Sequence, residues 1–289
     1  MSPKLKPDNA QLISDLIREE CSRISEEERS DSYKFAFADQ EFLTGKETRG
    51  IRFQLELLKA DVVLREHNID HTVVVFGSAR IRSKEYAENL LANANSAEEK
   101  KKAQALLDHS QYYESARNFG RLIAEHALRH KDSSDRLHIC TGGGPGIMEA
   151  ANRGAWEAGG LSIGFNISLP HEQEPNPYLT PDLCFRFHYF ALRKMHFLMR
   201  ARAIVAYPGG FGSFDELFEV LTLVQTRKID RIPIVLVGKD FWNKLVDFEM
   251  LESFGLIDAS DRQLIDYADT AEDAWSIIRE FYELEHGHS

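Results

Sequence analysis

The spacing of apolar positions along this chain changes near residue 70. Before it, Leu12, Ile13, Leu16 and Ile17 recur at helical intervals, and Phe53, Leu55, Leu57, Leu58, Val62 and Val63 mark a second amphipathic helix among many charged residues. Residues 1–70 therefore read as an N-terminal helical extension, and 71–289 as the domain that carries the chemistry. From His71 the pattern becomes a short β-branched run, His-Thr-Val-Val-Val-Phe, closing on Gly77-Ser78-Ala79. That predicts a buried parallel strand entering a small-residue turn. Helical spacing returns over 83–130, with Ala105, Leu106, Phe119, Leu122, Ile123 and Ala127 as apolar positions. Ser96 followed by Glu99 predicts a capping box. Strands are then predicted over 137–140, 161–167, 184–187, 203–207, 234–237 and 265–267. Helices are predicted over 147–158, 190–202, 214–226, 241–250 and 271–281. Pro170, Pro175, Pro177 and Pro181 make 170–182 a loop. Strands alternating with helices predict an α/β fold, a Rossmann-like doubly wound parallel sheet with helices on both faces.

Bulk composition narrows the function. The 289 residues carry a net charge of −11, which argues against a general nucleic-acid binder, because phosphate contacts need a positive surface. Cys21, Cys140 and Cys184 show no CxxC spacing and predict reduced thiols, hence a cytoplasmic protein. Cys140, at a strand end, reads as a small buried hydrophobe. No cationic-then-apolar leader opens the chain, and its apolar runs are too short to span a bilayer, so no membrane partner is expected.

The candidate chemistry lies in three glycine-containing turns, each after a predicted strand: Gly77-Ser78, Gly142 to Gly146, and Pro208-Gly-Gly-Phe-Gly-Ser-Phe-Asp-Glu216. In a doubly wound sheet all three face the carboxyl edge, where ligands bind. The third turn runs into a helix start, where free N–H groups and the helix dipole favour a phosphate. Asp215 and Glu216, just inside that helix, need some other part of the ligand to face. No G-x-G-x-x-G with a following acidic residue is present, which disfavours a dinucleotide, and no G-x-x-x-x-G-K-[ST] is present, which disfavours a triphosphatase. Between Leu183 and Ala206 there is no acidic residue, while Arg186, Arg193, Lys194, Arg200 and Arg202 are basic. Arg193 and Lys194 lie beside the phosphate turn and are taken as functional. Arg200 and Arg202 are read as a solvated face, and Leu192, Met195 and Met199 as the core stripe of that helix. His171, His188 and His196 lack metal-ligand spacing, so no metal is expected.

Three segments, Gly142-Gly-Gly-Pro-Gly-Ile-Met148-Glu149, Arg193-Lys194 and the 208–216 turn, together resemble the LOG family of cytokinin-riboside 5′-monophosphate phosphoribohydrolases, long labelled lysine decarboxylases. The family motif is written PGGxGTxxE, and Ser213 here replaces its threonine, keeping the hydroxyl. The resemblance covers roughly residues 70–285 and is closest to the longer bacterial members. It implies hydrolysis of the N-glycosidic bond of a nucleoside 5′-monophosphate, without a cofactor, by a homodimer or higher homo-oligomer. By motif position Glu216 and Arg193 are the catalytic pair. Gly209, Gly210, Gly212 and Ser213 would hold the 5′-phosphate, with Pro208 as a neighbouring substrate contact, and Asp215 and Glu216 the ribose hydroxyls. Gly77, Ser78, Gly143, Gly144, Met148, Glu149, Lys194 and Thr222 complete the implied substrate contacts, with Glu172 or Glu174 as a loop carboxylate.

A different class of function shares this fold: nucleotide-binding or molybdenum-cofactor carrier proteins without glycosidase activity. A carrier has no need of both Arg193 and Glu216, and this chain has both. The lysine decarboxylase label requires a Schiff-base lysine with cofactor-tuning partners, and Lys194 is the only lysine near the motif.

Overall fold

A computed structural model describes residues 31–130, 135–169 and 174–284. The predicted stripe at Leu12–Ile17, Cys21, Pro170, His171 and Glu172 lie outside the described residues. The chain divides into two compact units between Glu56 and Leu57. In the first, helix α1 (Gln40–Thr44) is capped by Asp39, whose carboxylate accepts from Phe42 N at 3.0 Å. Helix α2 (Arg49–Glu66) contains the division point.

The second unit is built on a seven-stranded, all-parallel sheet. Its strands are β1 (Thr72–Phe76), β2 (His138–Thr141), β3 (Ser162–Ile167), β4 (Cys184–Phe187), β5 (Ala201–Ala206), β6 (Ile234–Val237) and β7 (Ile265–Ala268). Their spatial order is β4-β3-β2-β1-β5-β6-β7. The connecting helices are α3 (Lys84–Ala92), α4 (Ala97–Arg129), α5 (Ile147–Glu157), α6 (Phe190–Met199), α7 (Phe211–Gln225), α8 (Lys239–Leu245), α9 (Phe248–Ser253), α10 (Ala259–Arg262) and α11 (Ala271–Phe281). This is the doubly wound α/β fold expected from the alternation of periods.

The period-two rule explains the two cores. All five β1 residues are buried, because helices cover both faces. Val73 and Val75 pack in one cluster with Phe119 and Ile123 of α4, Ile147 of α5 and Trp275 of α11. Val74 and Phe76 point the other way, into a cluster with Leu192 and Phe197 of α6 and Leu217 and Val220 of α7. Burying side chains of that size stabilises the fold by about 1.5–3 kcal/mol each.

Several boundaries differ from the sequence reading, each for a local reason. The capping box is present at the start of α4, with Glu99 N donating to Ser96 Oγ at 3.1 Å and Ser96 N to Glu99 Oε2 at 3.1 Å. The helix expected over 241–250 is two, because Asp247 caps a new start and accepts from Met250 N at 2.8 Å. Helix α6 stops at Met199. The next residue, Arg200, is not solvated: its guanidinium donates to Asp61 Oδ1 at 2.7 Å and to Ile69 O at 2.9 Å, with 11% of the side chain exposed. Met195 and Met199 are each 49% exposed, and buried His196 takes the expected core role beside Leu192. Its Nε2 meets Leu57 O at 3.0 Å, and its ring packs between Phe165 and Phe187.

Strand order reverses between β1 and β5. Chain leaving β1 heads toward β2, and chain leaving β5 heads toward β6, so their exit turns diverge and open a crevice. Ligands of open α/β sheets occupy such a switch point.

Candidate active site

The three glycine turns meet at that crevice. Tyr207 N donates to Phe76 O at 2.9 Å and Ser78 N to Pro208 O at 3.0 Å, which zips the β1 and β5 turns together. The β2 turn closes on them from the other side, with Ile147 N donating to Ser78 O at 3.0 Å. Two of the glycines here show why the turns need them. Gly146 has φ +75°, and a Cβ on it would run into Ser78 and Ala79 backbone; a Cβ on Gly209 would collide with the Ser213 side chain.

Helix α7 begins at Phe211, three residues earlier than its apolar spacing predicts. Gly212 and Ser213 therefore lie in its first turn; Ser213 N already donates to Gly210 O at 2.9 Å, while the N–H groups of Phe211 and Gly212 precede the first intrahelical acceptor. A cavity of about 1050 Å³ opens against this turn. Pro208, Gly209, Gly210, Gly212 and Ser213 line it on one side, and Gly77 and Ser78 on another. Met148, Arg193 and Glu216 complete the predicted residues found in its wall.

Arg193 comes from α6 and Glu216 from α7. Arg193 Nη2 stands 3.5 Å from Glu216 Oε1, with 15% and 7% of the two side chains exposed. The guanidinium is held by apolar neighbours: its carbon lies 5.2 Å from the Phe190 ring centre and 5.6 Å from that of Phe197. Its Nε is buried with no hydrogen-bond partner. Burial raises the Glu216 carboxyl to about 7, against the opposing pull of Arg193 and Lys194 and with help from Glu219 and Asp215. Burial also lowers Arg193, while Glu216 and Asp215 resist that. The pair thus offers a carboxylate that exchanges a proton near neutral pH beside a fixed cation with unused donor capacity.

Other expected contacts fall outside the cavity wall. Gly143 and Gly144 spend their carbonyls on Asn176, which donates from N at 2.9 Å and from Nδ2 at 3.0 Å. Glu149 accepts from the Tyr113 hydroxyl at 2.7 Å. Thr222 Oγ1 donates back to Phe218 O at 2.7 Å, and Glu174 is exposed away from the cavity. Lys194 Nζ lies 2.8 Å from both Asp215 Oδ2 and Glu219 Oε2.

The cavity wall also contains residues that the motifs did not reveal. His109 and Tyr112 reach it from α4, Arg80 from the β1 turn, and Asp240, Phe241 and Lys244 from α8. The lysine in the wall is thus Lys244, far from the motif in sequence. The α8 residues had a usable signal, since they follow β6 at the same sheet edge. His109 and Tyr112 had none; a 33-residue helix carries them there. Among the described residues no cluster of His, Cys, Asp and Glu is arranged to hold a metal ion, and no helix is long and apolar enough to cross a membrane.

Comparison with known proteins agrees with the motifs. The family model described as "Possible lysine decarboxylase" matches residues 148–278. A cytokinin riboside 5′-monophosphate phosphoribohydrolase of Arabidopsis thaliana is 33% identical over 91 residues, covering 31% of this chain and 42% of the relative. A "probable" enzyme of the same name from Oryza sativa subsp. japonica is 29% identical over 144 residues, covering 48% and 57%. The chain thus spans less than half the length of the first curated relatives it matches. Among solved structures, the structural-genomics target TM1055 aligns at 21% identity with a TM-score of 0.44, covering 73% of this chain and 99% of that one. A molybdenum cofactor carrier protein of Chlamydomonas reinhardtii aligns at 18% with a TM-score of 0.44, covering 74% and 98%. In its joint motifs and these sequence matches, the chain is similar to the LOG family.

Proposed function

We propose that this protein hydrolyses the N-glycosidic bond of nucleoside 5′-monophosphates, releasing free base and ribose 5-phosphate. One observation carries the reading: buried Glu216 faces Arg193 in the wall of the same cavity that contains the Gly209–Ser213 turn. The 5′-phosphate would sit on the first-turn N–H groups of α7. C1′ would then come within reach of the carboxylate about one helical turn further on. As a water oxygen bonds to C1′, the C1′–N bond breaks and its electron pair leaves with the base. Glu216 takes the water proton and returns one to the departing nitrogen. An anionic carboxylate also opposes the positive charge that develops on the ribose. Arg193 keeps Glu216 ionisable in spite of its burial, and its unpaired Nε is available to a ligand oxygen.

The phosphoribohydrolase activity for which the relatives are named supports monophosphates as the substrate class. Purified protein should be incubated with purine, pyrimidine and cytokinin riboside monophosphates, and the products followed by chromatography. Release of base and ribose 5-phosphate is expected. If every monophosphate survives intact, the hydrolase reading falls.

A further inference from the structure

Lys194 was expected to touch substrate, yet the structure gives it a different set of partners. Its ammonium lies 2.8 Å from Asp215 and 2.8 Å from Glu219, and 17% of the side chain is exposed. Those two carboxylates flank Glu216 on α7, one residue before it and three after. Lys194 itself follows Arg193 on α6. The two helices are therefore joined by a double rung: Arg193 opposite Glu216 inside the cavity, and Lys194 opposite Asp215 and Glu219 outside it. The inner rung is the weaker one, since 3.5 Å is too long for a full hydrogen bond. Burial disfavours the charge on Lys194, but its bonds to Asp215 and Glu219 outweigh this and raise its affinity for the proton. Lys194 therefore holds its proton more tightly than a free lysine does.

We propose that Lys194 is a positioning residue: by clasping Asp215 and Glu219 on either side of Glu216, it fixes α7 against α6 and holds the Glu216 carboxylate opposite Arg193. The proposal rests on the reading of Glu216 as the reactive carboxylate. Arg193 is already wedged by Phe190 and Phe197. Glu216 meets Arg193 only at 3.5 Å, too long for a full hydrogen bond, so the clasp on its neighbours sets where it stands. The charged groups around Glu216 are Arg193 and Lys194 from α6 and Asp215 and Glu219 from its own helix. Arg80, His109, Asp240 and Lys244 stand on the same cavity wall.

The test uses the full chain and the variants Lys194→Met, Lys194→Arg and Asp215→Asn/Glu219→Gln. Lys194→Met removes a cation and leaves two carboxylates unopposed, so Glu216 should titrate at higher pH and the acidic limb of kcat should move up. The double variant removes both carboxylates and frees the lysine, so that limb should move down. Both should lower kcat by about 10–100-fold, the usual cost of a misplaced reacting group, with KM nearly unchanged. Lys194→Arg should restore most of the rate. A carbon-13 NMR titration of the Glu216 carboxyl reads the same displacements without substrate, and so tests the proposal even if no nucleotide is cleaved. A raised KM with unchanged kcat in Lys194→Met would make the lysine a ligand contact and overturn the proposal. So would a Glu216 titration that is the same in wild type, Lys194→Met and the double variant. Should Lys194→Met fail to fold, the double variant alone still decides, because its exposed Asp215 site tolerates substitution.

Discussion

Replacing Glu216 with glutamine should make the protein more stable and less active at the same time. Folding moves this carboxyl from its ordinary value of 4.5 to about 7, chiefly by burial. The folded state therefore disfavours the ionised form. The contribution from this group is fully present below pH 4.5 and is lost as pH rises through 7. Two and a half powers of ten in proton affinity, at 1.36 kcal/mol each, amount to about 3 kcal/mol at pH 8. At pH 5, where the unfolded carboxyl is only partly ionised, the same arithmetic leaves about 1 kcal/mol. Glutamine keeps the shape and never ionises. Urea denaturation of wild type and Glu216→Gln at the two pH values should show the variant gaining about 2 kcal/mol more at pH 8 than at pH 5. In a thermal melt at pH 8 this corresponds to about 5 °C for a chain of this size. Equal stability differences at both pH values would refute the argument, since they would mean that Glu216 ionises in the folded protein as it does in water.

Two further outcomes test the architecture of the site. Gly209→Ala places a methyl group against the Ser213 side chain, whereas Gly212 has nothing within 4 Å of an added Cβ; KM for a nucleoside monophosphate should rise by about tenfold or more in the first and change little in the second, and the reverse order in steady-state kinetics would remove the Gly209–Ser213 turn as the phosphate seat. Asn176→Ala removes donors to Gly144 O and Asn152 Oδ1 in a buried network that also includes Thr141 and Ser162; it should cost about 1–3 kcal/mol in urea denaturation, and no measurable loss would mean that water replaces the amide.

Much of this was legible in the sequence because it is encoded locally. Val73 to Phe76 alternate between two cores as their β-branched run requires, and Ser96 with Glu99 closes the predicted box. Where side chains found partners distant in sequence, local spacing could not show them. Arg200 looks solvated by spacing alone and is in fact held by Asp61. Glu149 reads as a ligand contact and is engaged by Tyr113, 36 residues away.

Period and motif by themselves determined a doubly wound sheet with three turns at one edge, and singled out Arg193 and Glu216 as candidates. Those features depend on neighbours within a few positions, where backbone geometry and side-chain spacing decide the outcome. Tertiary structure alone decided that Arg193 and Glu216 face each other, that Lys194 turns outward to Asp215 and Glu219, and that His109, Tyr112 and Lys244 enter the cavity. Each of these depends on how helices pack across the sheet. Packing is set by the summed burial of many side chains from distant segments, so no short stretch of the chain carries it.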